Sequence, residues 1–155
     1  MRPKSPEQSA LTEPLMIRGR PPGSVAVALL EAQGLPVSDI TDERLEHFFF
    51  VGPVGSPRGL VGLELYGADA LLRSLVVGES ARGSGLGSTL VKHAEQYAAA
   101  NSVRSLYLLT TTAETFFRRL GYERIDRSQA PPSIKATPEF ASLCPASSAF
   151  MLKRL

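Results

Sequence analysis

The amino-acid sequence predicts one α/β (α+β) domain built on a mixed β-sheet with helices on its faces. In the first half, apolar runs alternate with glycine- and proline-rich turns, which is typical of hairpins. The second half alternates strand, helix, strand, helix and strand. The chain has 155 residues, of which 43% are hydrophobic, and this suits a single domain with a substantial core.

The N-terminal part begins with a polar segment. Residues 1–13 contain two prolines and few apolar side chains, so they are expected to form a flexible tail before a domain spanning residues 14–155. A short first strand is predicted at residues 15–17. Prolines, a glycine and a serine at residues 21–24 then signal the start of a helix over residues 25–33.

A helix and a hairpin follow. Thr41 is the expected N-cap of a short helix over residues 41–46. The aromatic run at residues 48–51 predicts a buried strand. The turn at residues 52–59, with its glycines and prolines, connects this strand to a second strand at residues 60–66.

The second half supplies the remaining strands and helices. They are predicted as a strand at 71–77, an amphipathic helix with its apolar stripe between Leu86 and Ala98, a strand at 103–109, a helix at 115–120, a strand at 122–125 and a last strand at 149–153. The four prolines in residues 128–145 predict a wrapped, irregular connection that could cover a cleft.

Charge and cysteine content narrow the classes of function. The formal net charge is +2 and the isoelectric point is about 8.9, far from the footprint of a nucleic-acid-binding protein. Cys144 is the only cysteine, and His47 and His93 are the only histidines, so neither an internal disulfide nor a metal site is expected. With no leader or membrane-spanning run visible, we expect a cytoplasmic protein that binds no membrane.

Residues 82–89 predict a phosphate-binding loop. Glycines at 83, 85 and 87 leave the backbone amides accessible to phosphate oxygens, and the dipole of the following helix adds attraction. The guanidinium of Arg82 can bind two phosphate oxygens. The alternative is a glycine-rich turn that only caps the helix.

Two common phosphate-binding motifs do not match this loop. A nucleoside triphosphate loop needs a lysine after the last glycine, whereas Ser88 and Thr89 follow Gly87. A dinucleotide fingerprint needs a Gly-x-Gly-x-x-Gly spacing and a later acid that binds a ribose hydroxyl. The spacing here is Gly-x-Gly-x-Gly, and no acid lies between Glu95 and Glu114.

A third motif does match. A strand ending in Leu75, Val76 and Val77 leads to Arg82, Gly85 and Gly87 in the Arg-x-x-Gly-x-Gly spacing, and the later run Arg119, Leu120, Gly121 and Tyr122 matches a second signature. The sequence therefore resembles the GNAT superfamily of acetyl-CoA-dependent N-acetyltransferases over nearly all of residues 15–155. It resembles most the arsenic-resistance-associated branch, through residues 73–77, 108–113, 116–122 and 142–146.

The resemblance implies a mostly antiparallel sheet whose two central parallel strands splay apart to admit acetyl-CoA as the acetyl donor, with no metal. The pantetheine arm would lie along Leu75, Val76 and Val77. The diphosphate would lie on the loop residues Arg82, Gly83, Ser84, Gly85, Leu86, Gly87 and Ser88.

Amine acetylation requires a base, and Glu64 is the predicted one. It lies in an apolar strand beside the predicted cofactor strand and could act directly or through a water. The alternative is a strand glutamate on the outer face. Many relatives have a tyrosine that protonates the leaving thiolate where this chain has Phe117, which cannot donate a proton. The proton for the thiolate could come instead from solvent, from Tyr107 or Tyr122, or from a hydroxyl in residues 110–112. No acid is assigned.

Arg73 interrupts an apolar strand and must find an anion. It could clamp a carboxylate of the acceptor or pair with Glu64. Lys135 is a second expected anion contact, and a lone thiol, that of Cys144, is a poor metalloid site. The predicted acceptor contacts are Arg73, Ser74, Thr110, Thr112 and Lys135.

The predicted reaction is acetyl transfer from acetyl-CoA to the amine of a small anionic amino-acid-like molecule, with an arsenical or phosphinic antimetabolite as one such acceptor. Two alternatives remain open. Protein or peptide amines could be the acceptors, or the domain could bind acyl-CoA without turnover as a sensor or interaction module. A homodimer is also open.

Overall fold

The computed structural model describes residues 16–155. The predicted tail at residues 1–13, and Leu15 of the predicted first strand, lie outside the described residues. The strands are β1 Ile17–Gly19, β2 Phe48–Val51, β3 Gly59–Tyr66, β4 Asp69–Val77, β5 Ser105–Thr110, β6 Glu123–Arg124 and β7 Ala149–Arg154. The helices are α1 Gly23–Ala32, α2 Asp42–Leu45, α3 Leu86–Ala100, α4 Glu114–Arg119 and α5 Pro132–Lys135.

The strands form one seven-stranded sheet in the order β1-β2-β3-β4-β5-β7-β6. Every pairing is antiparallel except that of β4 with β5, which is parallel. Side chains of α3 pack with those of β3 and β4 on one face, and side chains of α1 and α5 pack on the other. The predicted mixed sheet with helices on both faces is therefore confirmed.

The two parallel strands separate after four paired residues. Pairing of β4 with β5 runs from Asp69 opposite Ser105 to Leu72 opposite Leu108. Beyond this point β4 pairs only with β3, and β5 only with β7. The described structure thus has a cleft where the sequence resemblance implied that the central strands splay.

A β-bulge accompanies the separation. Leu60 lies opposite Val76 and Gly62 opposite Arg73, so that one residue of β3 faces two residues of β4. Ser74, within the bulge, has a φ of 58°, a left-handed conformation that costs energy for a residue with a Cβ. A bulge bends the strand that carries it, which turns the end of β4 away from β5.

The long helix α3 starts directly at this cleft. Its apolar stripe is buried against the sheet through Leu90, Val91, Ala94 and Ala98, which fixes the helix axis. Gly85 precedes the helix with a φ of 82°, a conformation that glycine adopts without strain. The N-terminus of α3 is therefore held beside the end of β4.

The connection predicted as irregular contains only short helical turns. A 3₁₀ turn at Arg127–Gln129 and the short α-helix α5 precede a π-helical turn at Glu139–Leu143. Elsewhere the predicted N-cap is present, because the hydroxyl of Thr41 accepts a hydrogen bond from the amide of Arg44 at 3.2 Å. No helix in residues 16–155 is both long and apolar enough to cross a membrane.

Gly62 permits the close packing beneath the bulge. A Cβ at this position would lie 2.5 Å from ring atoms of Phe48, whose side chain is fully buried. We expect Gly62→Ala to lower the free energy of unfolding by about 1–3 kcal/mol, the usual cost of overpacking a core. Urea denaturation measures the change. Gly55→Ala is the matched control because no atom lies within 4 Å of the added Cβ, and an equal loss in both variants would contradict the argument.

Candidate active site

The glycine-rich loop forms one wall of a groove. Gly83 and Gly85 have φ values of 79° and 82°, a left-handed conformation that lets the backbone turn sharply at these two positions. Gly87 provides space, because a Cβ there would lie 3.3 Å from the ring of Phe116 and 3.5 Å from Val77. Side chains at these positions would strain the loop or narrow the groove.

The loop presents backbone donors to this groove. The first hydrogen bond of α3 runs from the amide of Thr89 to the carbonyl of Gly85 at 3.1 Å. The amides of Leu86, Gly87 and Ser88 precede this bond and have no acceptor within the helix. They lie at the positive end of the helix dipole, which is a favourable place for a phosphate.

Arg82 lies at the same wall. Its Nη2 donates to the side-chain oxygen of Gln33 at 2.8 Å, and its Nε to the carbonyl of Val77 at 3.4 Å. All three residues line the groove, which has a volume of about 780 Å³. The sequence-predicted cofactor residues that line it are Leu75, Val76, Val77, Arg82, Gly83, Gly85, Leu86, Gly87 and Ser88.

A second cavity of about 390 Å³ lies next to the groove. Leu35, Leu75, Thr112 and Ala113 line both spaces. The junction therefore lies where β4 and β5 have separated. A ligand in the groove and a ligand in the cavity can meet there.

Arg73 is the centre of a charged cluster at one side of the cavity. Its side chain is fully buried. Its Nη1 donates to Asp39 and, at 2.8 Å, to Glu64; its Nη2 donates to Asp39 at 2.8 Å and lies 3.2 Å from Glu139; its Nε donates to Ser74 at 3.0 Å. Burial alone would lower the pKa of Arg73, but the carboxylates raise it above its ordinary value.

These contacts bear on the two interpretations of Arg73. The ion pair with Glu64 is present, and Asp39 and Glu139 complete the set of partners. The guanidinium donates hydrogen bonds to Asp39, Glu64 and Ser74, and Arg73 also lines the cavity. The structural pairing of Arg73 is therefore present, and its contact with a carboxylate of the acceptor stays a prediction.

The carboxylate of Glu64 is also fully engaged. It contacts Arg44 at 2.5 Å, Arg73 at 2.8 Å and the hydroxyl of Tyr66. Burial and the bond to Glu64 raise the pKa of Tyr66 to about 12. Glu64 lines neither the groove nor the cavity, so its role as the base stays a prediction, without support from its position.

Glu139 lines the cavity, and the sequence did not single it out. Burial raises the pKa of this carboxyl to about 7; Arg73 opposes the shift, while Asp39 and Glu64 add to it. Its Oε2 accepts a weak contact from the thiol of Cys144 at 3.9 Å. Burial together with Glu139 raises the pKa of Cys144 to about 12, so the thiol stays protonated.

Several hydroxyl groups line the cavity. They belong to Ser74, Thr110, Thr111, Thr112 and Ser148. The Ser148 hydroxyl is buried and has no hydrogen-bond partner among residues 16–155, so it can form a hydrogen bond with a ligand. Lys135 is exposed and lines neither the cavity nor the groove, so the structure gives the predicted anion contact no support. Ser84 likewise does not line the groove.

The aromatic residues offer no tyrosine acid to the cavity. The ring of Phe117 is buried against Phe116 and Tyr122. The hydroxyl of Tyr122 donates to Glu95 at 2.8 Å, and burial with Glu95 raises its pKa. Tyr107 stacks on Phe150 in the apolar cluster that includes Ile134 of α5. Neither tyrosine lines the cavity.

The sequence left Asp39, Glu139 and Ser148 unassigned. Asp39 lies in a loop and the other two in or beside the proline-rich connection, where no periodicity reveals which side chains point inward. The one available signal was the buried cation in β4, which requires anionic partners that only the folded chain identifies. No group of three histidine, cysteine or acidic side chains within residues 16–155 is arranged to hold a metal ion.

The fold and cleft are those of an acyl-CoA-dependent acetyltransferase domain, and comparison with known proteins agrees. Residues 44–124 match the acetyltransferase (GNAT) domain family. The chain is 32% identical over 93 residues to an uncharacterised N-acetyltransferase of Chlorobaculum tepidum, covering 59% of each protein. It therefore spans about three fifths of that relative.

Solved structures share the fold. N-acetylglutamate synthase of Neisseria gonorrhoeae, in complex with coenzyme A and N-acetyl-glutamate, superposes with a TM-score of 0.77 at 19% identity over 92% of this chain, but only 35% of that protein is covered. Rv2747 of Mycobacterium tuberculosis, in complex with CoA and NLQ, superposes with a TM-score of 0.71 at 19% identity, over 90% of this chain and 99% of that one.

The chain belongs to the GNAT family of acetyltransferases. The recognition of this family from the sequence is confirmed, and acetyl-CoA is the donor expected of its members. The comparisons do not distinguish the arsenic-resistance-associated branch.

The burial of Arg73 predicts a large stability effect. Arg73→Met would leave the buried carboxyl groups of Glu64 and Glu139 and the partly buried one of Asp39 without their shared cation, and we expect a loss of about 3–5 kcal/mol in the free energy of unfolding. Arg118→Met is the control, since it removes only an exposed helical pair with Glu114 and should cost under about 0.5 kcal/mol. Chemical denaturation measures both, and similar losses would show that the buried cluster contributes no more to stability than an exposed ion pair.

Glu139 predicts a pH-dependent stability. Its pKa is raised from 4.5 to about 7 in the folded protein, so the folded state holds a proton that the unfolded chain releases. Stability should therefore fall as the pH rises from about 4.5 to 7, by up to about 1.4 kcal/mol per pH unit. Because Gln at this position cannot titrate, the unfolding free energy of Glu139→Gln minus that of the wild type should rise across this pH window. Parallel pH curves would contradict this.

Proposed function

We propose that this chain transfers an acetyl group from acetyl-CoA to the amine of a small, amino-acid-like molecule. The observation that carries the proposal is the junction between groove and cavity. The groove presents phosphate-binding amides and a cation, the cavity presents polar side chains, and the two spaces meet at Leu75 and Thr112.

The donor half of the proposal uses the loop and β4. The diphosphate of acetyl-CoA lies on the amides at the start of α3 and beside Arg82. The pantetheine arm follows Leu75, Val76 and Val77, where β4 has no pairing with β5 and its backbone groups can bond to the amides of the arm. The thioester then reaches the junction.

The transfer needs a neutral amine and a polarised thioester carbonyl. Backbone amides of β4 beyond the bulge can polarise the carbonyl. The departing group is a thiolate, a much weaker base than an alkoxide, so it can leave without a tyrosine acid. Glu64 supports the site through Arg73 rather than by touching the acceptor.

The size and chemistry of the cavity favour a small acceptor. A volume of about 390 Å³ lies in the range of small-molecule sites. The synthase of N. gonorrhoeae binds N-acetyl-glutamate in one structure and L-arginine in another, which supports amino acids as the first class to test. An anionic group on the acceptor would bind the unpartnered hydroxyl of Ser148 and the guanidinium of Arg73, since both residues line the cavity.

An arsenical or phosphinic analogue of an amino acid has the same shape and an oxyanion in place of the carboxylate. Such an acceptor is supported by the sequence resemblance to the arsenic-resistance-associated branch alone. It is therefore one member of the acceptor panel rather than a separate function. The predicted cytoplasmic location and the homodimer stay predictions.

A second candidate function is acyl-CoA binding without turnover. The observation that favours it is Phe117, which is buried where many relatives have a tyrosine, and neither Tyr122 nor Tyr107 lines the cavity. Such a domain would bind acetyl-CoA and release no thiol with any amine. Peptide amines would fit if the acceptor extended out of the cavity.

One assay separates these functions. Release of CoA thiol from acetyl-CoA is measured against amino acids, their phosphinic and arsinic analogues, polyamines and short peptides, and acetylated products are verified by mass spectrometry. Turnover with an amino-acid-like amine supports the proposal. Binding of CoA by calorimetry with no turnover in any class favours the second candidate, and absence of CoA binding overturns both.

The donor site makes a direct prediction. Arg82→Ala removes the loop cation, and we expect the dissociation constant of CoA to rise about 10- to 100-fold, the range for a hydrogen bond to a charged group. Arg104→Ala removes an exposed arginine that lines neither space and should leave CoA affinity unchanged. Titration calorimetry measures both, and equal affinities for the two variants would remove Arg82 from the donor site.

A further inference from the structure

We infer that Glu139, on the π-helical turn that covers the cavity, is the base that takes the proton from the ammonium group of the acceptor. This inference rests on the proposed acetyltransferase function and adds the residue that makes the acceptor nucleophilic. A protonated amine has no lone pair with which to attack the thioester, so the site needs such a group.

The position of the carboxyl group carries the inference. Glu139 is buried and lines the cavity together with Leu143 and Cys144 from the same turn. Its two oxygens differ. Oε1 lies 3.2 Å from Nη2 of Arg73, whereas Oε2 has only the thiol of Cys144 at 3.9 Å. Oε2 therefore keeps lone pairs without an N–H partner, on a residue that lines the cavity.

The other two carboxyl groups of the cluster lack this freedom. Both oxygens of Asp39 accept from Arg73, and both oxygens of Glu64 are held by Arg44, Arg73 and Tyr66. Neither residue lines the cavity. Among the three acids around Arg73, Glu139 alone combines access to the cavity with an oxygen that has no N–H donor.

The charge of the cluster favours protonation at this carboxyl. Arg73 from β4, Asp39 from the loop before α2, Glu64 from β3 and Cys144 from the same connection all act on Glu139. Three carboxylates share the guanidinium groups of Arg44 and Arg73, so one negative charge is uncompensated. Uptake of a proton by Glu139 neutralises the cluster, and before that the excess charge attracts an ammonium group.

The step balances with acetyl-CoA as the only other reactant. An N–H bond of the ammonium breaks and its proton forms an O–H bond at Oε2. The amine lone pair then bonds to the thioester carbon, the C–S bond breaks, and the electron pair leaves on sulfur. The second amine proton ends on that thiolate, and Glu139 afterwards returns its proton to water.

The test compares Glu139→Gln with Glu64→Gln and with Glu123→Gln, an exposed glutamate of β6 that serves as the control. The best acceptor of the panel is used to record kcat/KM between pH 5.5 and 9. CoA affinity is measured by calorimetry for each variant, so that a donor-site or folding defect is detected separately. The Glu139 carboxyl is titrated by ¹³C NMR of glutamate-labelled wild-type protein with CoA bound, with its signal assigned by its loss in Glu139→Gln.

We expect Glu139→Gln to bind CoA as the wild type does and to lower kcat/KM by about 100-fold or more. Its acidic limb should move from a midpoint near 7 in the wild type to the pKa of the acceptor's own ammonium group, because only the neutral amine then reacts. Glu64→Gln should lower activity less and keep the wild-type midpoint. An acidic limb that keeps its wild-type midpoint in Glu139→Gln, or activity within about threefold of the control, overturns the inference while leaving the acetyltransferase function intact.

The NMR titration decides when no acceptor is found. If no amine of the panel is acetylated, the proposed function fails on its own terms. A titration midpoint near 7 then still supports Glu139 as the proton-accepting group of the cavity, and a midpoint below about 5 overturns it.

Discussion

A guanidinium without contact to water, placed in the middle of a β-sheet, is the constraint on which the acceptor side depends. Arg73 can be buried only because three carboxyl groups from separate parts of the chain surround it. Asp39 brings in the loop between α1 and α2, Glu64 the neighbouring strand, and Glu139 the proline-rich connection. Satisfying one buried charge thus joins three segments that are otherwise held by separate contacts: the ladder between β3 and β4, and two different apolar clusters.

The donor side depends on backbone geometry instead. The parallel pairing stops at Leu72 and Leu108, a bulge at Ser74 redirects β4, and two glycines with positive φ aim the start of α3 at the same space. These features need little from individual side chains except small size. The donor half of the cleft is therefore stabilised by backbone hydrogen bonds, and the acceptor half by paired charges.

This difference explains what the sequence could reveal. The loop around Arg82, the N-cap at Thr41 and the apolar stripe of α3 are local patterns, with the information contained in a few neighbouring residues. Arg73 was recognisable as a buried cation, but its partners at positions 39 and 139 are distant in sequence. Glu139 lies on a turn without helical or strand periodicity, so only the folded chain shows that this residue is buried beside Arg73 and lines the cavity.

The π-helical turn has a genetic consequence. Its defining hydrogen bond joins the amide of Cys144 to the carbonyl of Glu139, five residues apart, at 2.9 Å, one residue more than an α-helical turn holds. Loss of a single codon between these positions would let the turn relax to an α-helix and rotate Glu139 out of register with Cys144. The donor groove would be untouched. Under the proposed role of Glu139, such a deletion would displace the base while the residues that line the donor groove stay in place.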